Sequence, residues 1–398
     1  MQHDHITTDR DLADFCRDLA TAPRIAFDTE FVAEDTYRPQ LCLVQVAAGE
    51  RLAVIDPLEV RDLTPFWRLL TDGPCETIVH AGREEMLFCI EAVGKPPARL
   101  FDLQLAAGLV GLEYPAGYGS LTFKLLGVRS HKAETRTDWR KRPLSDRQID
   151  YALDDVRYLE PMRDELGRRL TSLGRESWLA METADWQEDV VATRGAERWW
   201  RVSGTAGLGA RSLAIVRELW RWREREAARR DCPTKRVLRD DLIVELAKRR
   251  SADLRQIRSL RGLERGDLQR ELPKMAEAIA VALAVPEEDL PRQTQRELPG
   301  QLNLLGQFLS SALTSISKSA NLAPSIVGTA TDVRELVAWH LRLPGTDPKN
   351  PPLLARPWRN EVIGNIIEDL LEGRASIRIR DPLSDDPLIF ERLAKDPK

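Results

Sequence analysis

Two carboxylates stand two residues apart in Phe27-Asp28-Thr29-Glu30-Phe31. On an extended segment both project to the same side. Two acids leaving a largely apolar strand together repel each other unless a cation lies between them, and a hard divalent ion held by oxygen ligands suits that role. The pattern D-x-E is common by chance, so it needs company. A second acidic pair, Glu84-Glu85, follows Ile78-Val-His80-Ala-Gly82, where a β-run ends, Gly82 permits a turn and a helix begins. On that helix Glu85 shares a stripe with Cys89 and Ala92 flanking the apolar face, whereas Glu84 shares its stripe with Phe88 and Glu91. Glu85 is the better placed to look inward, although first-turn acids also simply complement a helix dipole. The third stretch is Ser145-Asp-Arg-Gln148-Ile-Asp-Tyr151-Ala-Leu-Asp154-Asp155. Ser145 and Gln148 spell a capping box that opens a helix. Tyr151 and Asp155, four apart, then stack beside the apolar stripe Ile149, Ala152, Val156 and Leu159, which presents a phenol and a carboxylate at the edge of a core.

The elements that must position these groups are legible as alternating strands and helices. Arg24–Asp28, Leu41–Val46, Leu52–Ile55 and Thr77–His80 are short apolar or β-branched runs, with helical patterns at Asp11–Leu19, Leu63–Leu70 and Arg83–Val93. Ala47-Ala-Gly-Glu-Arg51 reads as a hairpin turn, so the sheet is expected to be mixed. This is an α/β domain by pattern. From about Ser145 the chain reads as almost wholly helical, with helices over Ser145–Leu173, Ser212–Arg230, Asp240–Arg250, Asp253–Leu260, Lys274–Val285, Gln301–Lys318 and Trp358–Glu372. The polar, proline-containing stretch 285–299 reads as a linker.

With 398 residues, 42% apolar and 31% charged, the chain has enough material for two or three domains with real cores. No apolar run approaches the ~20 residues that span a bilayer, and the polar start lacks the layout of a signal peptide. A cytoplasmic location with no membrane partner is the expectation. Five scattered cysteines without a CxxC pair read as reduced thiols rather than a disulfide frame or zinc site. A net charge of −4 argues against a protein that coats polyanions, but leaves room for a local basic groove.

Taken together, the three acidic stretches are similar to the DEDD exonuclease superfamily, and within it to the ribonuclease D family. The similarity runs collinearly through DTEFVAEDTYRPQLCLVQVA (28–47), VHAG (79–82), the Phe-Asp pair at 101–102 and RTDWRKRPLSDRQIDYALDDVRYL (136–159). Tyr151, where a sister group has histidine, is the mark of the tyrosine-type branch. The resemblance implies a ribonuclease H-like 3′→5′ exonuclease domain with a mixed sheet over residues 1–205, ending in a trailing helix. It implies two divalent cations, Mg²⁺ or Mn²⁺, about 4 Å apart astride the scissile phosphate. Asp28, Glu30, Glu85 and Asp155 would hold them. Tyr151, with an ordinary pKa near ~10, is cast as the orienter of the attacking water. Products would be 5′-mononucleotides cut from a free 3′-OH. At the second motif the family carries aspartate where this chain has Glu85, a change that adds a methylene; Glu84 is the alternative ligand. Asp102 is a supporting residue at most, and His80 packs or hydrogen-bonds beneath the site. In the basic segment, Arg136, Trp139 and Arg140 are candidate substrate-binding residues, through phosphates and a stacking ring; a solvated loop anchored by one tryptophan is the competing reading.

Residues from about Arg211 to Val285 resemble an HRDC domain, through Leu219-Trp-Arg-Trp-Arg-Glu-Arg225, Lys235–Ile243 and Leu254–Gly262. The expected divisions are 206–288 for this module and 289–398 for a second, degenerate HRDC-like unit, both all-α. Arg221, Arg225 and Arg229 form a basic stripe that suits a phosphate backbone or an ordinary face paired with Glu218, Glu224 and Glu226. Trp339 and Trp358 read as core. The implied partners are RNA 3′ ends of precursor tRNAs and small structured RNAs, met by a monomer. A DNA-directed 3′→5′ exonuclease, or an RNA-binding protein whose catalysis has lapsed, are the alternatives.

Overall fold

The computed structural model describes residues 2–129, 137–291, 300–384 and 387–393. Its first part is a six-stranded sheet built from β1 (Asp4–Ile6), β2 (Arg24–Val32), β3 (Gln40–Ala48), β4 (Arg51–Ile55), β5 (Glu76–Val79) and β6 (Leu100–Asp102), in the order β1-β4-β3-β2-β5-β6. The expected hairpin joins β3 to β4 at Gly49, whose φ of 58° favours glycine. β2 is antiparallel to β3 and parallel to β5, so the sheet is mixed as expected. The register of β2 against β3 shifts between Glu30 and Phe31, which re-aims the strand end that carries the acids. β1 and β6, each three residues long, are too short for an alternation signal.

One face of the sheet is covered by α1 (Asp9–Asp18), α2 (Thr64–Asp72) and α3 (Arg83–Val93) around Phe15, Ile25, Phe27, Phe66 and Trp67. The other receives α4 (Leu103–Leu109), α5 (Tyr118–Leu126), α6 (Asp146–Arg157), α7 (Leu159–Leu173) and α8 (Glu176–Thr193). The single helix expected over Ser145–Leu173 is two, broken at Tyr158. Pro161 lies in the first turn of α7, where its missing N–H does no harm but continuation from α6 would be blocked.

The HRDC-like module holds α9 (Ala210–Arg230), α10 (Thr234–Val237), α11 (Asp240–Arg249), α12 (Leu254–Arg258) and α13 (Gly266–Ala284) around a core of its own. α13 starts eight residues before the expected Lys274 and runs through Pro273. The buried stripe Leu268, Leu272, Met275 and Ile279 spans the proline, so packing overrides the lost backbone bond. Most of the expected linker, residues 292–299, lies outside the described residues. The last region contains α14 (Gly300–Ser319), α15 (Pro324–Val327), α16 (Ala330–His340), α17 (Pro357–Arg359) and α18 (Asn365–Leu371). It also holds an antiparallel hairpin of β7 (Ala375–Ile379) and β8 (Leu388–Arg392), a departure from the wholly helical expectation. The alternating Ile377 and Ile379, paired across to Phe390 and Leu388, suit strands.

Candidate active site

β2 sends alternate residues to opposite faces. Phe27 packs against Phe66 and Trp67 on the α2 side, and Phe31 against Phe88 on α3. Asp28 and Glu30 therefore face the α6 side, as their spacing predicts. There α6, opened by the expected capping box of Ser145 and Gln148, delivers Tyr151 and, one turn on, Asp155, whose carboxyl the nearby phenol acts to lower. Glu85 arrives from the first turn of α3 and is 6% exposed.

The turn before α3 is held in place from three directions. Ala81 adopts the left-handed φ of 56°, strained for a residue with a Cβ. Gly82 is needed for space, since a Cβ there would meet Val79 Cγ2 at 2.4 Å. Asp102, fully buried, accepts from Gly82 N–H at 2.9 Å while its other oxygen caps α4 through Gln104 N–H at 2.7 Å and Leu105 N–H at 3.1 Å. Asp102 thus supports the site without facing it. His80 packs edge-on to Tyr118 and its Nε2 lies 2.9 Å from the Ala116 carbonyl.

Electrostatically the cleft is one-sided. Burial first, then Glu85, Asp155 and Glu30, push the Asp28 carboxyl well above the ordinary range. Burial, with Asp155 and Glu85, raises Glu30 to about 8. Burial raises Glu85 to about 7 and Asp155 to about 6. Tyr151 is pushed up by burial and by the same acids, so at neutral pH it is a hydrogen-bonding phenol and no base. Four acids that repel in a half-dry cleft are the donor set a hard cation requires, and in kind they fit one. Among the described residues, however, no three His, Cys, Asp or Glu side chains already close around one point. Glu85 Oε1 accepts from Thr29 Oγ1 at 2.6 Å.

Sequence reasoning missed two groups. Gln45, fully buried and paired across the ladder with Asp28, donates from Nε2 to Asp28 Oδ2 at 3.1 Å. A buried amide in the apolar run Leu41–Ala47 was the signal available. Thr29 gave none, since a threonine on a strand is ordinary.

The basic segment requires a correction. Trp139 is 4% exposed, packed among Val32, Leu43, Ile149 and Leu153 with its ring 6.2 Å from that of Tyr151. It backs Tyr151 and has no face to offer a base. Arg140 is engaged by Asp35 at 2.9 Å and Asp138 at 2.9 Å, and Arg142 by the buried Asp56 at 2.7 Å. These arginines shape the loop, in line with the anchored-loop reading. Arg136 lies outside the described residues. In the HRDC-like module, Arg221 grips Glu197 and Glu218, while Arg225 and Arg229 are exposed and Arg229 pairs with Glu226.

Residues 4–171 match the family model described as 3′-5′ exonuclease, and residues 212–279 that of the HRDC domain. Fold and acidic cleft thus define a 3′-5′ exonuclease with an appended HRDC module. The chain is 34% identical over 372 residues to the ribonuclease D of Gluconacetobacter diazotrophicus, covering 93% of each. It is 31% identical over 380 residues to that of Escherichia coli K12, covering 94% of this chain and 99% of that one. The crystal structure of E. coli RNase D, described as an exoribonuclease involved in structured RNA processing, superposes with a TM-score of 0.82 at 30% identity, over 94% of this chain and 99% of that one. The chain belongs to the ribonuclease D family of 3′-5′ exoribonucleases. No described helix is long and apolar enough to cross a membrane.

Proposed function

We propose that the chain shortens RNA from its 3′ end to 5′-mononucleotides by hydrolysis assisted by two divalent cations, Mg²⁺ or Mn²⁺, acting as a monomer in the cytoplasm. The observation that carries this reading is the convergence of Asp28, Glu30, Glu85 and Asp155 on one cleft, where the charges acting on Asp28 are all acidic. Asp28, Glu30 and Asp155 would hold the ions, with Glu85 at the margin. Bound there, such ions acidify water and stabilise charge on the departing oxygen. The chain's own residues do the rest. Gln45 fixes the Asp28 carboxylate. Tyr151, buttressed by Trp139 and one helical turn from Asp155, presents its hydroxyl toward the water that attacks. The water oxygen bonds to phosphorus, the P–O3′ bond breaks, and the leaving 3′ oxygen takes up a proton.

The E. coli relative's description as a processor of structured RNA supports precursor tRNAs and other small structured RNAs as substrates here. The test is degradation of a 5′-labelled single-stranded RNA and its matched DNA, in Mg²⁺ and in Mn²⁺, with Asp28→Asn as control. Stepwise loss of RNA, absent in the variant, is expected. Equal cutting of DNA would shift the reading to a DNA-directed enzyme. RNA binding without shortening in either metal would leave a protein that keeps the fold and has lost the chemistry.

A further inference from the structure

Glu85 is one methylene longer than an aspartate, and the structure shows where that length goes. The backbone that carries Glu85 has little freedom. Ala81 is left-handed, Gly82 has no room for a side chain, and Asp102 ties Gly82 to the start of α4. The first turn of α3 is therefore fixed, and what remains adjustable is the torsion of the Glu85 side chain itself. That freedom is removed by one contact. Thr29 lies between Asp28 and Glu30 but points to the opposite face of β2, the face that α3 covers, as the Phe31–Phe88 ring pair marks. Its hydroxyl donates to Glu85 Oε1 at 2.6 Å, between residues each 6% exposed. A buried, charge-assisted bond of this length is among the stronger kinds.

We propose that Thr29 is a positioning residue for Glu85: it holds Oε1 at the sheet, leaving Oε2 as the oxygen offered to a divalent cation shared with Asp28 and Glu30. An aspartate at this position would end roughly 1.5 Å short, one carbon–carbon bond, and would not reach the hydroxyl. Thr29 thus matters to the site because residue 85 is glutamate. The inference rests on the metal-dependent reading above.

The test is a double-mutant cycle read by Mn²⁺ binding to the RNA-free protein, followed by electron paramagnetic resonance, with kcat and KM measured alongside. Thr29→Val keeps the shape and removes the donor; Thr29→Ser keeps the donor. In the native background Thr29→Val is expected to weaken Mn²⁺ binding about tenfold and to lower kcat more than it changes KM, and Thr29→Ser to recover most of that loss. In an Glu85→Asp background the same Thr29→Val change is expected to alter Mn²⁺ binding by less than about twofold. Equal losses in both backgrounds would reduce Thr29 to a packing role and overturn the proposal, as would no loss in either. Absence of Mn²⁺ binding that depends on Asp28 in the native protein would instead remove the metal reading beneath it.

Discussion

Among the described residues, two clusters of buried charge are built on opposite plans. In the cleft, Asp28, Glu30, Glu85 and Asp155 gather like charges whose carboxyls are all pushed upward. In the seam between α8 and the last helical region, Glu182 meets Arg359. Arg359 donates to both Glu182 oxygens, at 2.8 Å to Oε2, and gives further bonds to the Val327 and Ile326 carbonyls at 2.8 Å each. Trp358 Nε1 completes the set with a 3.0 Å bond to Glu182, while its ring stacks on Trp178 at 5.2 Å. Beside it Arg175 donates to the Leu109 carbonyl at 2.7 Å and that of Asn321 at 2.8 Å. The seam satisfies nearly every donor and acceptor it buries and so can be dry and fixed. The cleft leaves a charge deficit that only something from outside can fill. Burial of an ion is therefore no guide to its purpose; the balance of the ions around it is.

The contrast is broken most severely at Asp28. Asp28→Asn is expected to lower kcat/KM on RNA by on the order of 10⁴-fold, about 5 kcal/mol of transition-state stabilisation. Calorimetry of the metal-free variant should show a melting point no lower than the native one, because a repelling charge has gone. The seam should answer the other way. Glu182→Ala strands the Arg359 guanidinium and should cost about 3–5 kcal/mol in urea unfolding, with kcat per folded molecule nearly unchanged. A large loss of stability in the first variant, or of turnover in the second, would mean that the two clusters do not divide the work in this way.

A smaller effect separates the clusters by pH. Carboxyls raised to about 6, 7 and 8 in the fold, for Asp155, Glu85 and Glu30, hold protons that the unfolded chain releases near ~4. Their stabilising contribution is complete below the unfolded values and is lost as pH rises through about 6 to 8. Metal-free protein should therefore melt lower at pH 8.5 than at about 5.5, and Mg²⁺ should close most of that gap. A slope that persists in saturating Mg²⁺ would locate it elsewhere.

The smallest effect tests a contact of neither kind. The HRDC-like module keeps its own core and meets the β2–β3 loop through Tyr37, whose N–H donates to Asp231 at 3.1 Å and whose hydroxyl donates to Glu224 at 3.2 Å. Tyr37→Phe should cost about 0.5–1.5 kcal/mol and leave Mn²⁺ binding as it was. The last helical region differs, since Leu309, Leu313, Ile326 and Trp358 share one core with α4 and α7 of the exonuclease domain.

Much of the cleft was legible because its logic is local. Asp28 and Glu30 needed only the period of a strand, Tyr151 and Asp155 that of a helix, and Ser145 with Gln148 a cap, and each stands where its spacing put it. The basic segment misled for the same reason. Arginines and a tryptophan in a loop look available to a ligand until Asp35, Asp56 and the core beneath α6, all distant in sequence, claim them.

By itself the sequence determined the alternation of elements, the side on which each acid leaves its own strand or helix, and the family. Those follow from interactions within a few residues and from a collinear pattern. Only the tertiary structure decided that Gln45 steadies Asp28, that Thr29 captures the longer Glu85, and that Arg359 joins the last region to the exonuclease. Each of these joins partners far apart in the chain, and folding alone sets the distance between them.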